Sequence, residues 1–334
     1  MDQPLRFGIL GAARIAPKAL IDPAKKVDSV VVTRVAARDR SRAQAFAAEH
    51  GIAGVADDYQ ALVEADDVDV VYNPLPMSLH AEWTIAALRA GKHVFCEKPF
   101  AANATEAQEM VRVADEEGLV LGEAFHYRYH PLFGRLLDEV QSGRIGDLRR
   151  LDASFCVPIG RPDIRWDFAT AGGSLMDLGC YPMSWVRHIT GAEPTVRSAT
   201  ATVLDDAPHI DADIEANLAF PGEVEARVTS SMIDENRRIE LVIEGTAGRI
   251  DVVNPMAPQM GNLVRIETER GVTAGPIDGG ISYDHMFRAF VDHLCLGAPF
   301  PTRGADSVAN MAAIDAVYAA AGLPVRGTDP GDGS

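Results

Sequence analysis

Basic residues are the scarce charge in this chain of 334 residues: 31 Lys and Arg stand against 48 Asp and Glu, for a formal net charge of −17. A surface of that sign repels a polyphosphate backbone, so nucleic acid is not an expected partner. A small anionic cofactor remains admissible, because local arginines and helix N-termini can hold one. Cysteine is sparse as well. Cys96, Cys156, Cys180 and Cys295 form no C-x-x-C pair, which argues against a zinc site or redox pair of that type. Such thiols suit the interior of a reduced, cytoplasmic protein. No apolar stretch approaches the ~20 residues that span a bilayer, so no membrane partner is expected. No basic segment precedes an apolar run and a cleavage site either, and Leu5–Leu10 reads as a strand rather than part of a signal peptide. Internal repeats and low-complexity linkers are missing. With 47% hydrophobic and 24% charged residues the composition is globular. The length exceeds the ~250–300 residues at which a single core stops growing, so two domains are expected.

The residues fall into two patterns. In the first third, short β-rich runs (Leu5–Leu10, Ser29–Ala37, Val68–Asn73, His93–Glu97, Leu119–Ala124) alternate with helical stretches (Ser41–His50, Leu79–Ala90, Ala104–Glu117). Strand–helix–strand repetition predicts an α/β, doubly wound parallel sheet with helices on both faces. After Ala124 a helix is expected at Pro131–Ser142, then strands of period two. Ile214, Ala216, Leu218 and Phe220 alternate up to the turn Pro221-Gly222, Val224, Ala226 and Val228 follow, and Ile239, Leu241 and Ile243 lead to the turn Ala247-Gly248. This predicts a large, mainly antiparallel sheet with one covered face, in an α+β domain. Helices near Tyr283–Leu296 and Ala305–Ala320 close the chain, and the tail Gly327–Ser334 is expected to fray. The expected domains are 1–124 and 125–330.

The first strand runs into Gly8-Ile9-Leu10-Gly11-Ala12-Ala13-Arg14-Ile15-Ala16. Against the dinucleotide fingerprint G-x-G-x-x-G/A, Gly11, Ala13 and Ala16 occupy the three small positions. The first makes the tight turn, the second lets backbone approach the pyrophosphate, and the third packs helix on strand. Ala13 departs from glycine by one methyl group, and a βαβ turn without a ligand is the alternative. The second strand ends Val35-Ala36-Ala37-Arg38-Asp39. NAD binders place a carboxylate where Ala37 stands, whereas NADP binders remove it and supply arginine, here Arg38 or Arg14. NADP is therefore favoured, although Arg38 could be an ordinary surface arginine and Asp39 could reach the ribose, as NAD would need.

The stretch Cys96-Glu97-Lys98-Pro99 ends the fourth strand run. In a doubly wound sheet ligands sit at the carboxyl ends of strands, so Lys98 would project into the crevice as a point charge able to hold a substrate oxygen. A second motif, Gly172-Gly173-Ser174-Leu175-Met176-Asp177-Leu178-Gly179-Cys180-Tyr181, lies in the other half of the chain. Together with Gly8–Ala16, Tyr72-Asn73-Pro74-Leu75-Pro76 and His80, these stretches make the whole chain resemble the glucose–fructose oxidoreductase, inositol dehydrogenase and rhizopine-catabolism (Gfo/Idh/MocA) oxidoreductases. Many members carry histidine at the last motif position. Tyr181 here is similar to the branch with glucose–fructose oxidoreductase and dimeric dihydrodiol dehydrogenase, and Ala36-Ala37-Arg38-Asp39 is also similar to the latter. The resemblance implies a Rossmann domain joined to the α+β domain and an NADP-dependent enzyme acting on a sugar, sugar derivative or vicinal diol. It implies a catalytic pocket lined by Lys98, Asp177 and Tyr181, and a cofactor site of Gly11, Ala13, Arg14, Ile15, Ala37, Arg38, Asn73, Pro74, Leu75, Pro76, His80, Glu97 and Lys98. Pro74 and Pro76 would flank the nicotinamide and Glu97 would contact ribose. It further implies a homo-dimer or homo-tetramer built through the second sheet, whose exposed apolar face would otherwise be a liability.

Hydride transfer to or from a carbinol carbon needs a group that takes or gives the hydroxyl proton. A phenol of pKa ~10 is a poor base at neutral pH, and a neighbouring ammonium makes it usable. Asp177 and Tyr181 are four apart and would share a helix face, although Gly179 and Pro182 weaken that helix. Arg165, with Trp166 beside it, could touch cofactor or substrate or form an interdomain salt bridge. His126 and His130 are four apart but lack a third ligand, so packing is expected there and no metal. Three other readings remain: an NAD-dependent inositol or sugar dehydrogenase; a non-catalytic cofactor sensor on the same scaffold, which would predict a decayed site; and an enzyme whose cofactor stays bound and is recycled through oxidation and reduction in one turnover.

Overall fold

Runs of β-branched residues buried on both faces cannot stay in water, and each is followed by a segment able to cover it. The computed structural model, which describes residues 3–329, resolves them as β1 (Leu5–Leu10), β2 (Val30–Ala36), β3 (Gly54–Val55), β4 (Val70–Asn73), β5 (His93–Cys96) and β6 (Leu121–Glu123). All pair in parallel, in the order β3-β2-β1-β4-β5-β6. The order reverses between β1 and β4, and such a switch point opens a crevice at the carboxyl ends of the strands. Phe7, Ile9, Val70, Val71, Val94 and Phe95 are wholly buried, as a sheet covered on both faces requires. The two-residue β3 and the short helix Tyr59–Val63, capped by Asp58, carry too little periodicity to be read from sequence.

The described residues divide into two compact units, and the division is not the expected one at residue 124. The first contains the chain up to His126 together with Tyr283–Val308; the second contains Tyr127–Ser282 and the chain from Ala309 onward. The helix Ser282–Leu296, expected in the second domain, thus contributes mostly to the first. Phe287 sits 5.5 Å from Phe7, and Phe290 stacks on Phe95 at 4.4 Å between ring centres. Aromatic burial of this size decides where the helix goes, between segments 195 and 280 residues apart in sequence.

The second unit holds β7 (Leu148–Cys156), β8 (Thr195–Leu204), β9 (Ala207–Phe220), β10 (Val224–Ser231), β11 (Arg238–Gly245), β12 (Gly248–Val253), β13 (Leu263–Thr268) and β14 (Gly271–Gly275), in the order β14-β13-β12-β11-β7-β10-β9-β8. Only β7 and β10 pair in parallel. The inward alternation is the expected one: Ile214, Ala216, Leu218, Val228, Leu241 and Ile243 are buried. The helix Cys180–Thr190 packs over β7 and β10. The outward face differs from the apolar surface expected. It carries a ladder in which Arg150 and Arg227 reach Asp152 at 2.9 and 2.8 Å, and Arg249 and Arg265 reach Asp251 at 2.7 and 3.4 Å. Of the tail Gly327–Ser334, residues 330–334 lie outside the described residues. Among the described residues no helix is long and apolar enough to cross a membrane.

Candidate active site

In the first unit every expected cofactor residue follows the carboxyl end of a strand or shapes the loop there. Gly11 ends β1 at φ +84°, a backbone region open to glycine, and a Cβ there would come within 3.1 Å of Leu75. Its N–H donates to the Ala36 carbonyl at 2.6 Å, which pulls the turn flat against β2. Ala13, Arg14 and Ile15 continue the turn, Arg14 exposed and Ala13 and Ile15 half-buried. A widened helical turn, Pro17–Ile21, and then Asp22–Ala24 take the place of a regular first helix.

At the end of β2, Ala37 is buried and Arg38 exposed. Asp39, the residue that could have favoured NAD, is committed elsewhere. It caps the helix Arg40–His50, its Oδ1 accepting from the Ser41 N–H at 2.9 Å and the Ser41 hydroxyl at 2.7 Å. These bonds to Ser41 hold its carboxyl below the usual range. Sequence reasoning passed over Tyr59. Burial pushes its phenol up, opposed by the Arg38 backbone N–H that donates to it. Its hydroxyl lies 3.9 Å from the Cβ position of Gly11, and Trp83 meets its ring edge-on at 5.1 Å.

The loop after β4 is built by its own polar groups. Asn73, fully buried, donates to the His80 carbonyl and the Thr84 hydroxyl, both at 3.2 Å, and its Oδ1 accepts from the Leu75 N–H at 3.3 Å. His80 lies 2.9 Å from both the Leu75 and the Pro99 carbonyls and so ties the Pro74–Pro76 loop to the loop after β5. Burial lowers its pKa to about 4, and a neutral ring donates to one carbonyl at a time. Asn73 and His80 are thus framework for this edge. Glu97, 8% exposed, accepts from the Tyr72 hydroxyl at 2.7 Å and from the Lys98 N–H at 3.3 Å. Burial and then the Glu97 charge push both Tyr72 and Tyr283 upward, so neither phenol ionises beside that carboxylate. Lys98 stands half-buried just past β5.

The second unit carries the other motif. Its chain enters through Gly172-Gly173, where Gly173 adopts φ +135° and a Cβ would fall 2.2 Å from Asp211 Oδ1. A widened turn, Leu175–Gly179, runs straight into the helix Cys180–Thr190. The expected single helical face for Asp177 and Tyr181 is therefore modified, since Asp177 lies in the widened turn and Tyr181 in the helix proper. Such insertions accommodate Gly179 and Pro182 without breaking the rod. Asp177 Oδ2 accepts from Arg165 Nε at 2.6 Å, and Arg165 also donates to both Asp163 oxygens at 3.0 and 3.1 Å. Burial opposes the Arg165 charge, and Asp177 and Asp163 outweigh it, raising its pKa. Of the two readings for Arg165, the structure brings it to Asp177, within one unit. Trp166 donates its indole N–H to the Ile159 carbonyl at 3.1 Å and lies under the Arg161 guanidinium at 4.2 Å. Tyr181, 5% exposed, sits among the rings of Tyr127, Phe155 and Trp185, centres 5.6–6.5 Å away. His126 stacks on Tyr283 at 4.0 Å, and His130 Nδ1 accepts from the Leu132 N–H at 3.1 Å to cap Pro131–Gln141.

Comparisons with known proteins place both halves of the chain in one family. Residues 5–125 match the Gfo/Idh/MocA family described as an oxidoreductase family with an NAD-binding Rossmann fold, and residues 133–251 match the C-terminal domain of the same family. The chain is 35% identical over 322 residues to D-xylose 1-dehydrogenase (NADP(+)) 2 from Haloferax volcanii, covering 95% of this chain and 97% of that protein. It is 33% identical over 254 residues to trans-1,2-dihydrobenzene-1,2-diol dehydrogenase from Sus scrofa, covering 75% of each. Among solved structures, the 3-ketoreductase KijD10 from Actinomadura kijaniata, in complex with NADP and TDP-benzene, superimposes with a TM-score of 0.89 at 31% identity, over 95% of this chain and 98% of that one.

Proposed function

Because the chain belongs to the Gfo/Idh/MocA oxidoreductase family, we propose that it is an NADP(H)-dependent enzyme moving a hydride between nicotinamide and a carbinol or carbonyl carbon of a sugar, sugar derivative or vicinal diol. The observation that carries the reading is the carboxyl edge of the parallel sheet. The Gly11 turn, the exposed Arg38 beside an Asp39 already bonded to Ser41, the Asn73–Pro76 loop and Lys98 all follow strand ends there. These residues fit the group. A flat turn without a Cβ suits a pyrophosphate, and an arginine unopposed by a free carboxylate suits a ribose 2′-phosphate.

When bound, the dinucleotide donates or accepts hydride at the nicotinamide ring. The chain's own residues do the rest. Tyr181 gives its phenolic proton to the substrate oxygen in reduction and takes it back in oxidation. Lys98, just past β5, is proposed to hold a substrate oxygen as a point charge. Asp177, oriented by Arg165, accepts from a substrate hydroxyl. The aromatic surround of Tyr181 keeps bulk water from the proton.

The test is a screen of aldoses, inositols and vicinal diols for NADP+ reduction, repeated with Tyr181→Phe. Removal of a general acid–base lowers kcat by about 10²- to 10⁴-fold while NADP+ binding persists. Undiminished turnover by Tyr181→Phe rejects the assignment. Preference for NAD+ rejects the cofactor.

A further inference from the structure

Behind the Gly172–Asp177 turn lies a charged cluster that the proposed chemistry does not use. Arg326 and Asp211 have no exposed side-chain surface and meet at 2.6 Å. Arg326 Nε donates to the Gly172 carbonyl at 2.6 Å, and its Nη1 donates to the Pro324 carbonyl at 2.7 Å. Its guanidinium lies over the Tyr318 ring at 4.1 Å and the Phe168 ring at 5.0 Å. On the other side, Asp211 Oδ2 accepts from the Leu175 N–H at 2.7 Å and the Ser174 hydroxyl at 2.9 Å, and Oδ1 accepts from the Tyr318 hydroxyl at 3.0 Å. The pair therefore grips the turn at Gly172, Ser174 and Leu175. The same turn holds both ends of the Arg165–Asp177 contact. The Gly173 N–H donates to the Arg165 carbonyl at 2.9 Å, and the Asp177 N–H donates to the Gly173 carbonyl at 3.1 Å.

A buried ion pair is a poor device for stability alone, because apolar residues of similar volume often serve as well. What it offers is a fixed geometry, with each oxygen and N–H aimed at one partner. We propose that Asp211 and Arg326 are positioning residues for the reaction: they set the turn that carries Asp177 and leads into Tyr181, and through Gly173 they set Arg165. The glycine at 173 belongs to the device, since any Cβ would strike Asp211, Tyr318 and Arg326. The inference rests on Asp177 and Tyr181 acting in the site as described above.

The experiment compares Arg326→Lys, Tyr318→Phe and the doubly neutral Asp211→Asn/Arg326→Gln with wild type and Tyr181→Phe. Steady-state kcat and KM, melting temperature and NADPH affinity by fluorescence are measured for each. Tyr318→Phe removes a single hydroxyl and leaves the ion pair, so a folded variant is available whatever the others do. The expected result for the double variant is a kcat reduced about 10- to 100-fold, as for displacement of reacting groups by about 1 Å, with NADPH affinity unchanged. Arg326→Lys keeps the charge but not the fork that bonds Gly172, Pro324 and Asp211 together, so its kcat is intermediate, and Tyr318→Phe loses a few-fold. A folded double variant with wild-type kcat overturns the proposal, as does loss of kcat in parallel with loss of NADPH binding. If Tyr181→Phe is inactive and the Arg326 variants are not, only this proposal falls. A fully active Tyr181→Phe removes the underlying reading and this proposal with it.

Discussion

The proposed choice of cofactor turns on two adjacent residues with opposite assignments. Asp39 could have bound a ribose diol, but its carboxylate already satisfies Ser41 and the first turn of the helix Arg40–His50. Arg38 next to it is exposed. A charge-assisted bond to phosphate is worth about 1.5–3 kcal/mol, or about 10- to 100-fold in affinity. Arg38→Ala is accordingly expected to weaken NADP+ binding by that factor and leave NAD+ binding unchanged, as titration calorimetry would reveal. Asp39→Ala should cost about 1 kcal/mol of stability, the ordinary loss of an N-cap, with no effect on NADP+ affinity. A gain in NADP+ affinity in that variant would mean that Asp39 faces the phosphate. Ala37 and Arg38 were legible because the fingerprint fixes their spacing. The Asp39 cap was not read from the sequence, where that aspartate figures only as a ribose contact.

At the scale of elements, His80 links the loop after β4 to the loop after β5. Its folded pKa of about 4 against an ordinary 6.5 means that the native state favours the neutral ring. Its contribution is complete above pH 6.5 and is lost as pH falls from 6.5 to about 4, where the unfolded chain binds a proton that the native chain refuses. The limiting size is about 3 kcal/mol. Thermal melts from pH 7.5 to 4.5 should therefore show a falling melting temperature whose slope is shallower in His80→Gln; equal slopes would assign the acid sensitivity elsewhere. The strands and long helices of both units were readable because periods of two and 3.6 reflect which face meets the core. The widened turns Pro17–Ile21 and Leu175–Gly179 were not. One residue inserted in a helix leaves the local composition unchanged, and only the neighbours decide whether the insertion is favourable.

For the whole molecule, the outward face of the eight-stranded sheet is the surface through which we propose that a homo-dimer or homo-tetramer forms. Exposed ion pairs contribute about 0–1 kcal/mol each to a monomer, so the Arg–Asp ladder does little for folding, and in the proposed assembly it would set the register of a facing copy. Arg227→Glu, which sets a third carboxylate beside Asp152 and Glu215, should leave the melting temperature within a few degrees and lower the sedimenting mass. A wild-type monomer at micromolar concentration would remove this proposal. The amino-acid order by itself determined the parallel sheet, the alternation of the second sheet and the glycine turn after β1, because each depends on local period or fixed spacing, while Lys98, Asp177 and Tyr181 were singled out by the family resemblance. Tertiary structure alone decided that Phe287 and Phe290 return the late helix to the first unit, that Arg165 pairs with Asp177, and that Arg326 closes on Asp211 from 115 residues away. The ring and Arg326 contacts join segments too far apart for any short window to contain both partners, and the Arg165 pairing depends on how the loop between residues 165 and 177 folds back.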